Sequence, residues 1–369
     1  MIAVERVSVL VPVYRGSQQL EGLLDALGRD PYPDKEVVVC VDSPDEETRA
    51  LEDRYPWACF DWCDERRGKV NALNGAVAMS TGEYLLFIDC DVRLAGEGLI
   101  GRVAEALGSH ELVDVKKRIV RDSALARLVS YEYLSGSITS LLFNRLVGKS
   151  PQFNGACFAV RRDAFNRLGG FRRVIYEDLD LAFKAYRSDV SFRFADDIVV
   201  ENVVSPSLGA WLRQRKRWGV GLAQWILENA GGLAASVLRR PHVFLAALLV
   251  LSPSAPLMAM SVALPDDVFM KLLSISLLLL SSLHIYLVPS VFVVAVFMVV
   301  VKSLIAATVS YLGTGLAFAL GARRLGYTFN PLEYTVYFLV YSPVWLIMIL
   351  VSLVRVALGR EPPELDWKV

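Results

Sequence analysis

The sequence predicts an α/β domain with a mostly parallel sheet, followed by an α-helical membrane domain. Three features support this prediction. Short β-branched and apolar runs alternate with helical patterns early in the chain, which is typical of a parallel sheet covered on both faces. Apolar runs of about 20 residues, enough to span a bilayer, occupy the last part of the chain. Nearly all charged residues precede those runs.

The composition separates the chain into a charged part and an apolar part. It has 369 residues, 54% of them hydrophobic, and a mean hydropathy of +0.40, which is high for a soluble enzyme. Of 39 basic and 39 acidic residues, only seven and six lie in 241–369. The net charge is zero, and we expect no nucleic-acid partner. The five cysteines all lie in the charged part without zinc-ligand spacing, which favours a reduced, cytosolic location.

Three apolar runs predict strands, at residues 7–14, 37–41 and 84–88. The second run ends at Asp42 and the third at Asp89. Because ligands bind at the carboxyl ends of parallel strands, both carboxylates are predicted to face a ligand site. Helical patterns follow the strands or lie between them, at residues 19–27, 45–55 and 70–79.

Four membrane spans are predicted, at 243–264, 270–288, 289–322 and 336–358. The third is interrupted by Lys302 and by Gly313-Thr314-Gly315, so a re-entrant or interfacial segment is the alternative interpretation there. The predicted divisions are a charged, cytosolic α/β domain at 1–204, an amphipathic interfacial region at 205–240, and a membrane domain with a short tail at 241–369.

Charge placement predicts the orientation of these spans. Residues 205–240 contain six basic residues and one acid, so this side is expected to face the cytosol. The first six residues lack a signal-peptide pattern, and the first domain is therefore expected to remain cytosolic. Four spans would leave Arg323 and Arg324 outside, against the usual charge bias.

Asp89-Cys90-Asp91 is a candidate metal site. Two carboxylates one residue apart suit a hard cation such as Mg²⁺ or Mn²⁺, and a diphosphate can supply the remaining oxygens. Such pairs at strand ends are also common as solvated turns or helix caps. A basic loop just upstream, residues 66–69, enters a helix and could bind phosphate oxygens.

Two further elements follow in the chain. Glu177-Asp178 opens a predicted helix, where acidic residues are often only caps. In the later stretch 214–218, Gln214, Arg217 and Trp218 share one helix face at i, i+3 and i+4. Trp211, Leu222 and Trp225 extend an aromatic stripe, which is also typical of an interfacial helix with a tryptophan belt.

The ordered set of these motifs resembles family 2 glycosyltransferases, in particular the membrane-bound branch with cellulose, chitin and hyaluronan synthases and ceramide glucosyltransferases. The matching elements are Asp42 after the second predicted strand, Asp89-Cys90-Asp91, Glu177-Asp178 and Gln214-Arg215-Lys216-Arg217-Trp218. The resemblance covers about residues 7–221. It implies a nucleotide-diphospho-sugar transferase (GT-A-like) fold and a multi-pass membrane protein whose catalytic domain faces the cytosol.

The resemblance also implies roles for individual residues. Donor-binding residues would be Tyr14, Asp42, Lys69, Asp89, Gln214 and Arg217, with Asp42 at the nucleobase. Asp91, with Asp89, would bind the metal, and Asp178 would be the general base next to Glu177. Acceptor-binding residues would be Trp218, Asn154 and Gly155.

These roles predict metal-dependent transfer of a sugar from a nucleotide sugar, with UDP favoured, to an acceptor hydroxyl. Attack opposite the leaving group would invert the anomeric carbon. The acceptor is either a growing β-linked polysaccharide, which the complete Gln-x-x-Arg-Trp element favours, or a membrane lipid or lipid-linked sugar. Membrane lipids are expected partners in both cases. A catalytically inactive scaffold or transporter is the alternative from another class.

Overall fold

The structure is a computed structural model, and it describes residues 5–205, 207–253, 275, 276, 279, 282 and 290–359. Within these ranges, the side chains of 290–303, 305 and 306 are not described. The chain divides into two compact units. The first unit comprises Met1–Phe244 and Ile347–Val369, and the second is Leu245–Leu346.

An eight-stranded sheet forms the centre of the first unit. Its strands are β1 Val7–Tyr14, β2 Lys35–Asp42, β3 Cys59–Cys63, β4 Tyr84–Ile88, β5 Val92–Leu94, β6 Leu112–Ile119, β7 Cys157–Arg161 and β8 Phe192–Asn202. The strand order is β3-β2-β1-β4-β7-β6-β8-β5. The three predicted strands are confirmed as β1, β2 and β4.

The sheet is mixed, which corrects the prediction of a mostly parallel one. Strands β3, β2, β1 and β4 are parallel, and β6 is parallel to β8. Strand β7 is antiparallel to both β4 and β6, and β5 is antiparallel to β8. The apolar pattern of a strand buried on both faces does not encode its direction, so the sequence could not reveal this reversal.

The helices of the first unit cover this sheet. They are α1 Leu20–Arg29, α2 Glu46–Arg49, α3 Leu51–Arg54, α4 Lys69–Met79, α5 Leu99–Ser109, α6 Ala124–Val147, α7 Arg162–Arg167, α8 Glu177–Arg187 and α9 Leu208–Arg239. Inside, Val9, Val39, Leu86 and Ala159 are fully buried, as continuous apolar strands require. The helix predicted at 45–55 is two short helices, α2 and α3. All five cysteines are free.

Helix α9 carries the predicted aromatic stripe, but two of its tryptophans are buried in protein. Trp211 and Trp225 are each 5% exposed, and Trp225 packs edge-on against Phe183 of α8 at 5.1 Å between ring centroids. The expected tryptophan belt at a membrane surface is therefore wrong for these two residues. The sequence pattern could not separate the cases, because aromatic rings at helical spacing suit a protein core as well as an interface.

After α9 the chain bends by 111° into α10 Pro241–Leu251. Helix α11 Ser290–Leu325 runs unbroken through Lys302 and 313–315, so the interruption expected there is wrong. Its glycines do not break the helix, and at Gly315 an added Cβ would meet the Tyr334 ring at 3.1 Å. Gly315 thus provides space for a packed aromatic ring.

The chain then forms α12 Pro331–Val336, a π-helical turn Tyr337–Tyr341 and α13 Ser342–Ala357. Within the described ranges, the stretch Pro331–Ala357 is long and apolar enough to cross a membrane, and the bent pair of α9 and α10 passes the same test together. Most of the predicted span at 270–288, and residues 254–264 of the first predicted span, lie outside the described residues. Four spans therefore stay a prediction.

Candidate active site

The ends of β2 and β4 bring Asp42 and Asp89 to the same edge of the sheet. Strand β1 lies between them and pairs in parallel with both. The basic loop enters α4 at this edge, and α8 begins close by. This is the edge where an α/β sheet leaves a crevice for a ligand.

Asp42 is held by the basic loop. Its carboxylate accepts hydrogen bonds from Arg67 Nε at 2.9 Å and from the Gly68 backbone N–H at 2.8 Å, and it is only 3% exposed. Gly68 has φ of +88°, a conformation that favours glycine and lets the chain turn into α4. Arg67 also binds Asp61 at 2.6 Å, and these carboxylates raise its pKa against the effect of burial.

The aromatic ring of Tyr14 lies at the end of β1, beside the same loop. The Arg66 guanidinium stands 4.0 Å from the ring centroid, and Arg15 lies 5.3 Å away. The ring remains 40% exposed. An exposed aromatic surface beside Asp42 and basic side chains suits a planar nucleobase.

Lys69 joins the first metal-candidate carboxylate to the acidic pair on α8. Its Nζ lies 2.9 Å from Asp89 Oδ1 and 3.0 Å from Glu177 Oε1. Burial acts to lower the pKa of Lys69, but the charges of Asp89 and Glu177 outweigh it and raise that pKa well above its usual value. Lys69 therefore contacts these carboxylates, whereas Asp42 is bound by Arg67 and Gly68.

Asp91 lies at the open rim of this crevice, where its side chain is accessible to solvent. Desolvation of the carboxylate by the surrounding protein, and then the nearby charge of Asp89, raise the pKa of Asp91 to about 6. A divalent cation would remove this repulsion, and its preferred ligands are carboxylate oxygens. Among the described residues no cluster of three or more His, Cys, Asp or Glu is arranged as a metal site. The two aspartates thus fit a cation that also takes ligands from a bound diphosphate.

Asp178, at the start of α8, is recessed in the crevice. Its Oδ2 accepts a hydrogen bond from the Gly155 N–H at 2.7 Å, and Oδ1 accepts one from the Leu179 N–H at 2.7 Å. Burial and then the charge of Glu177 raise the pKa of Asp178 to about 6, although Lys69 and both N–H groups oppose this. A carboxylate with such a pKa is ionised at neutral pH and can accept a proton from a hydroxyl group.

Asn154 orders the loop beside this carboxylate. Its Oδ1 accepts a hydrogen bond from the Ala156 N–H at 2.9 Å, and its side chain lies near the hydroxyl of Tyr133 on α6. At Gly155 an added Cβ would come within 2.7 Å of Asp178 Oδ2. The glycine therefore allows the backbone to approach the carboxylate closely.

Helix α9 brings the 214–218 stretch towards the start of α8. The ring centroids of Trp218 and Tyr176 are 6.4 Å apart, and an added Cβ on Gly221 would collide with Ile175 at 2.6 Å. Arg217 is half-buried. Burial raises the pKa of the Tyr176 hydroxyl, and the positive charge of Arg217 opposes this rise. Gln214 is exposed and accepts a hydrogen bond from Arg215 at 3.1 Å.

Sequence reasoning missed three groups of this site. Arg67 was seen only as part of a basic loop, and its partner Asp42 lies 25 residues away. Arg215, which is buried, and Glu132, which is partly exposed, form an ion pair at 2.6 Å between α9 and α6. A signal for Arg215 was present, since it is flanked at i−4 and i+3 by Trp211 and Trp218.

Comparison with known proteins identifies the family of part of the chain. Residues 8–169 match the model of Glycosyl transferase family 2. The chain carries a family 2 glycosyltransferase domain. This domain contains β1 to α7 and both candidate metal ligands, whereas Glu177, Asp178 and α9 lie beyond the matched region.

Curated relatives include polysaccharide synthases. The chain is 24% identical over 233 residues to the poly-β-1,6-N-acetyl-D-glucosamine synthase of Staphylococcus epidermidis, covering 61% of this chain and 57% of the relative. It is also 24% identical to the UDP-forming cellulose synthase 1 catalytic subunit of Komagataeibacter xylinus, covering 59% of this chain and 31% of that protein. The matches thus span about half or less of these relatives.

Among solved structures, the fold is similar to that of the mannosyltransferase PcManGT from Pyrobaculum calidifontis, determined in complex with GDP-Man and Mn²⁺. The TM-score is 0.51 at 24% identity, over 84% of this chain and 88% of that one. This similarity supports the GT-A-like fold of the α/β domain.

Proposed function

We propose that this protein transfers a sugar from a nucleoside diphosphate sugar to an acceptor hydroxyl, with inversion at the anomeric carbon. The observation that carries the proposal is the contact of Lys69 with both Asp89 and Glu177. This contact joins Asp89, at the end of β4, to Glu177, which directly precedes the candidate base Asp178. Inverting transfer needs a leaving diphosphate and a base in one crevice.

On the donor side, Asp42 and Tyr14 bind the nucleobase, and Lys69 keeps Asp89 oriented beside Asp91. Bound Mg²⁺ or Mn²⁺ would neutralise charge that develops on the departing diphosphate. Asp89 and Asp91 would hold this cation, and the charge of Asp89, which raises the pKa of Asp91, supports the assignment. Gln214 and Arg217 of α9 lie near the diphosphate in this proposal.

On the acceptor side, Asp178 takes the proton from the attacking hydroxyl. Its two N–H hydrogen bonds fix the carboxylate, and its pKa of about 6 leaves it ionised at neutral pH. Glu177 beside it stays paired with Lys69. Trp218, with Asn154 and Gly155, binds the acceptor sugar. The attacking oxygen approaches opposite the leaving group, so an α-linked donor gives a β-linked product.

The acceptor in our proposal is a growing β-linked polysaccharide. The relatives described as poly-β-1,6-N-acetyl-D-glucosamine synthase and UDP-forming cellulose synthase support a polymer product and a UDP-sugar donor. Synthesis takes place on a multi-pass membrane protein whose first domain faces the cytosol. The apolar composition after residue 240 and the basic residues of 205–240 support this location.

The central test compares Asp178→Asn with wild-type protein in membranes supplied with radiolabelled UDP- and GDP-sugars. Loss of the base should lower transfer by at least about 100-fold while donor affinity changes little. Asp189→Asn is the matched control, because Asp189 is fully exposed at the far end of α8. Wild-type turnover by Asp178→Asn would reject Asp178 as the base.

The same incubations identify the product. Ethanol-insoluble labelled polymer is the expected result. Label extracted into organic solvent would instead show transfer to a membrane lipid or lipid-linked sugar. Absence of both transfer and donor hydrolysis with every nucleotide sugar would favour the inactive scaffold and reject the proposed function.

A further inference from the structure

Arg215 of α9 is a buried cation that neither donor nor acceptor chemistry requires. It is 1% exposed, and its Nη2 lies 2.6 Å from Glu132 Oε2 on α6. Its Nη1 donates a hydrogen bond to Gln214. A buried guanidinium is costly to desolvate, so its placement requires compensation by well-aimed partners.

The guanidinium also lies between two aromatic rings. Its Cζ is 4.2 Å from the ring centroid of Trp218 and 5.6 Å from that of Trp211. Cations within about 6 Å of an indole centroid are attracted to the ring, and more strongly where water is excluded. The orientation of Trp218 therefore depends on Arg215, and that of Arg215 depends on Glu132.

A continuous series of contacts connects this pair to the candidate base. Trp218 lies beside Tyr176, which directly precedes Glu177 and Asp178. From the other partner, Glu132 is followed in α6 by Tyr133, whose hydroxyl lies near the Asn154 side chain. Asn154 adjoins Gly155, whose N–H binds Asp178. The ion pair thus joins α6 and α9 to both sides of the proposed acceptor site.

The donor-side contacts belong to other parts of the chain. Asp42 is bound by Arg67 and Gly68 before α4, and Asp89 by Lys69. Arg215 also donates a hydrogen bond to Gln214, an exposed residue that the proposed function places near the diphosphate.

We propose that Arg215 and Glu132 are positioning residues that hold Trp218 for the acceptor sugar, and thereby determine how efficiently sugar is passed to the acceptor instead of to water. The inference rests on the proposed function, because it presupposes the glycosyl transfer. It adds that acceptor use, rather than donor binding, depends on the ion pair between the buried Arg215 of α9 and Glu132 of α6.

The test uses a double variant, Glu132→Leu with Arg215→Met, in the full-length protein in membranes. Replacing both charges by apolar groups avoids an unpaired buried charge, and such replacements often preserve folding. With a radiolabelled nucleotide sugar that wild type uses, the measured quantity is the ratio of sugar transferred to product to sugar released by hydrolysis.

We expect this ratio to fall by at least about tenfold, because a shift of the acceptor by a fraction of an ångström impairs attack but leaves water able to react. The donor KM should remain within about twofold of wild type, since uniform donor binding is unchanged. Arg193→Gln, which removes the exposed ion pair with Asp197 on β8, serves as the matched control and should leave both quantities unchanged.

An unchanged ratio would overturn the inference. This includes the case in which hydrolysis and transfer fall in parallel, because the ratio is then unchanged and the loss reflects general destabilisation. A thermal unfolding scan of the same preparation would detect that destabilisation. Wild-type protein that neither transfers nor hydrolyses any donor would reject the proposed function as well. An active wild type with an unaffected double variant rejects the positioning role alone.

Discussion

The close contact between Gly155 and Asp178 allows a sharp prediction. In Gly155→Ala the new Cβ would lie 2.7 Å from Oδ2 and 2.9 Å from Cβ of Asp178. Ordinary contact distances begin at 3.4 Å, so the side chain must retreat by about 0.7 Å. The hydrogen bond from the Gly155 N–H, now 2.7 Å, would lengthen or break.

The expected effect on catalysis is large. A displacement approaching 1 Å costs on the order of 100-fold in rate, so we expect turnover to fall by about 30- to 100-fold. The lost N–H bond stabilises the ionised carboxylate, so the pKa of Asp178 should rise above its present value of about 6. The acidic limb of the pH–rate profile should therefore move to higher pH.

The assay is the pH dependence of nucleotide release from labelled nucleotide sugar, with thermal unfolding measured in parallel. Gly108→Ala in α5 is the control, because an added Cβ there meets nothing within 4 Å. Helix propensity predicts that it gains up to about 1 kcal/mol in stability without loss of activity. Wild-type turnover and an unshifted limb in Gly155→Ala would refute the proposed role of this contact.

Three further predictions concern the same site. In wild type, kcat/KM should fall as the pH drops through about 6, because protonated Asp178 cannot take the proton from the acceptor hydroxyl. A flat profile from about pH 5 to about pH 8, a range that includes this pKa, would exclude Asp178 as the base. Chelation of metal ions by EDTA should abolish transfer, and added Mn²⁺ or Mg²⁺ should restore it. Asp91→Asn should weaken metal-dependent donor binding by at least about tenfold, measured by titration calorimetry. Unchanged donor binding by this variant would reject the metal assignment. Arg67→Met should destabilise the protein by about 2–3 kcal/mol and raise the donor KM, because it leaves Asp42 buried without its guanidinium partner. Adding Asp42→Asn to that variant should recover much of the lost stability, and an equal Tm for all three proteins would contradict the energetic role of the pair.

Local sequence determined the elements that bring the site together. Strands β1, β2 and β4 follow from short, β-branched apolar runs, because a strand buried on both faces is apolar at every position and is too short to be a membrane span. Their ends locate Asp42 and Asp89, since parallel strands place their carboxyl ends at one edge. The motifs of the candidate site were recognisable in the sequence because each one occupies a few consecutive residues.

Tertiary structure decided which of these residues meet. The partners of Lys69, Asp42 and Arg215 lie 20 to 108 residues away in sequence, and no local pattern specifies such pairings. The reversed direction of β7 and the burial of Trp225 were hidden for a related reason. Apolar periodicity records that a surface is covered, whereas packing in three dimensions decides what covers it.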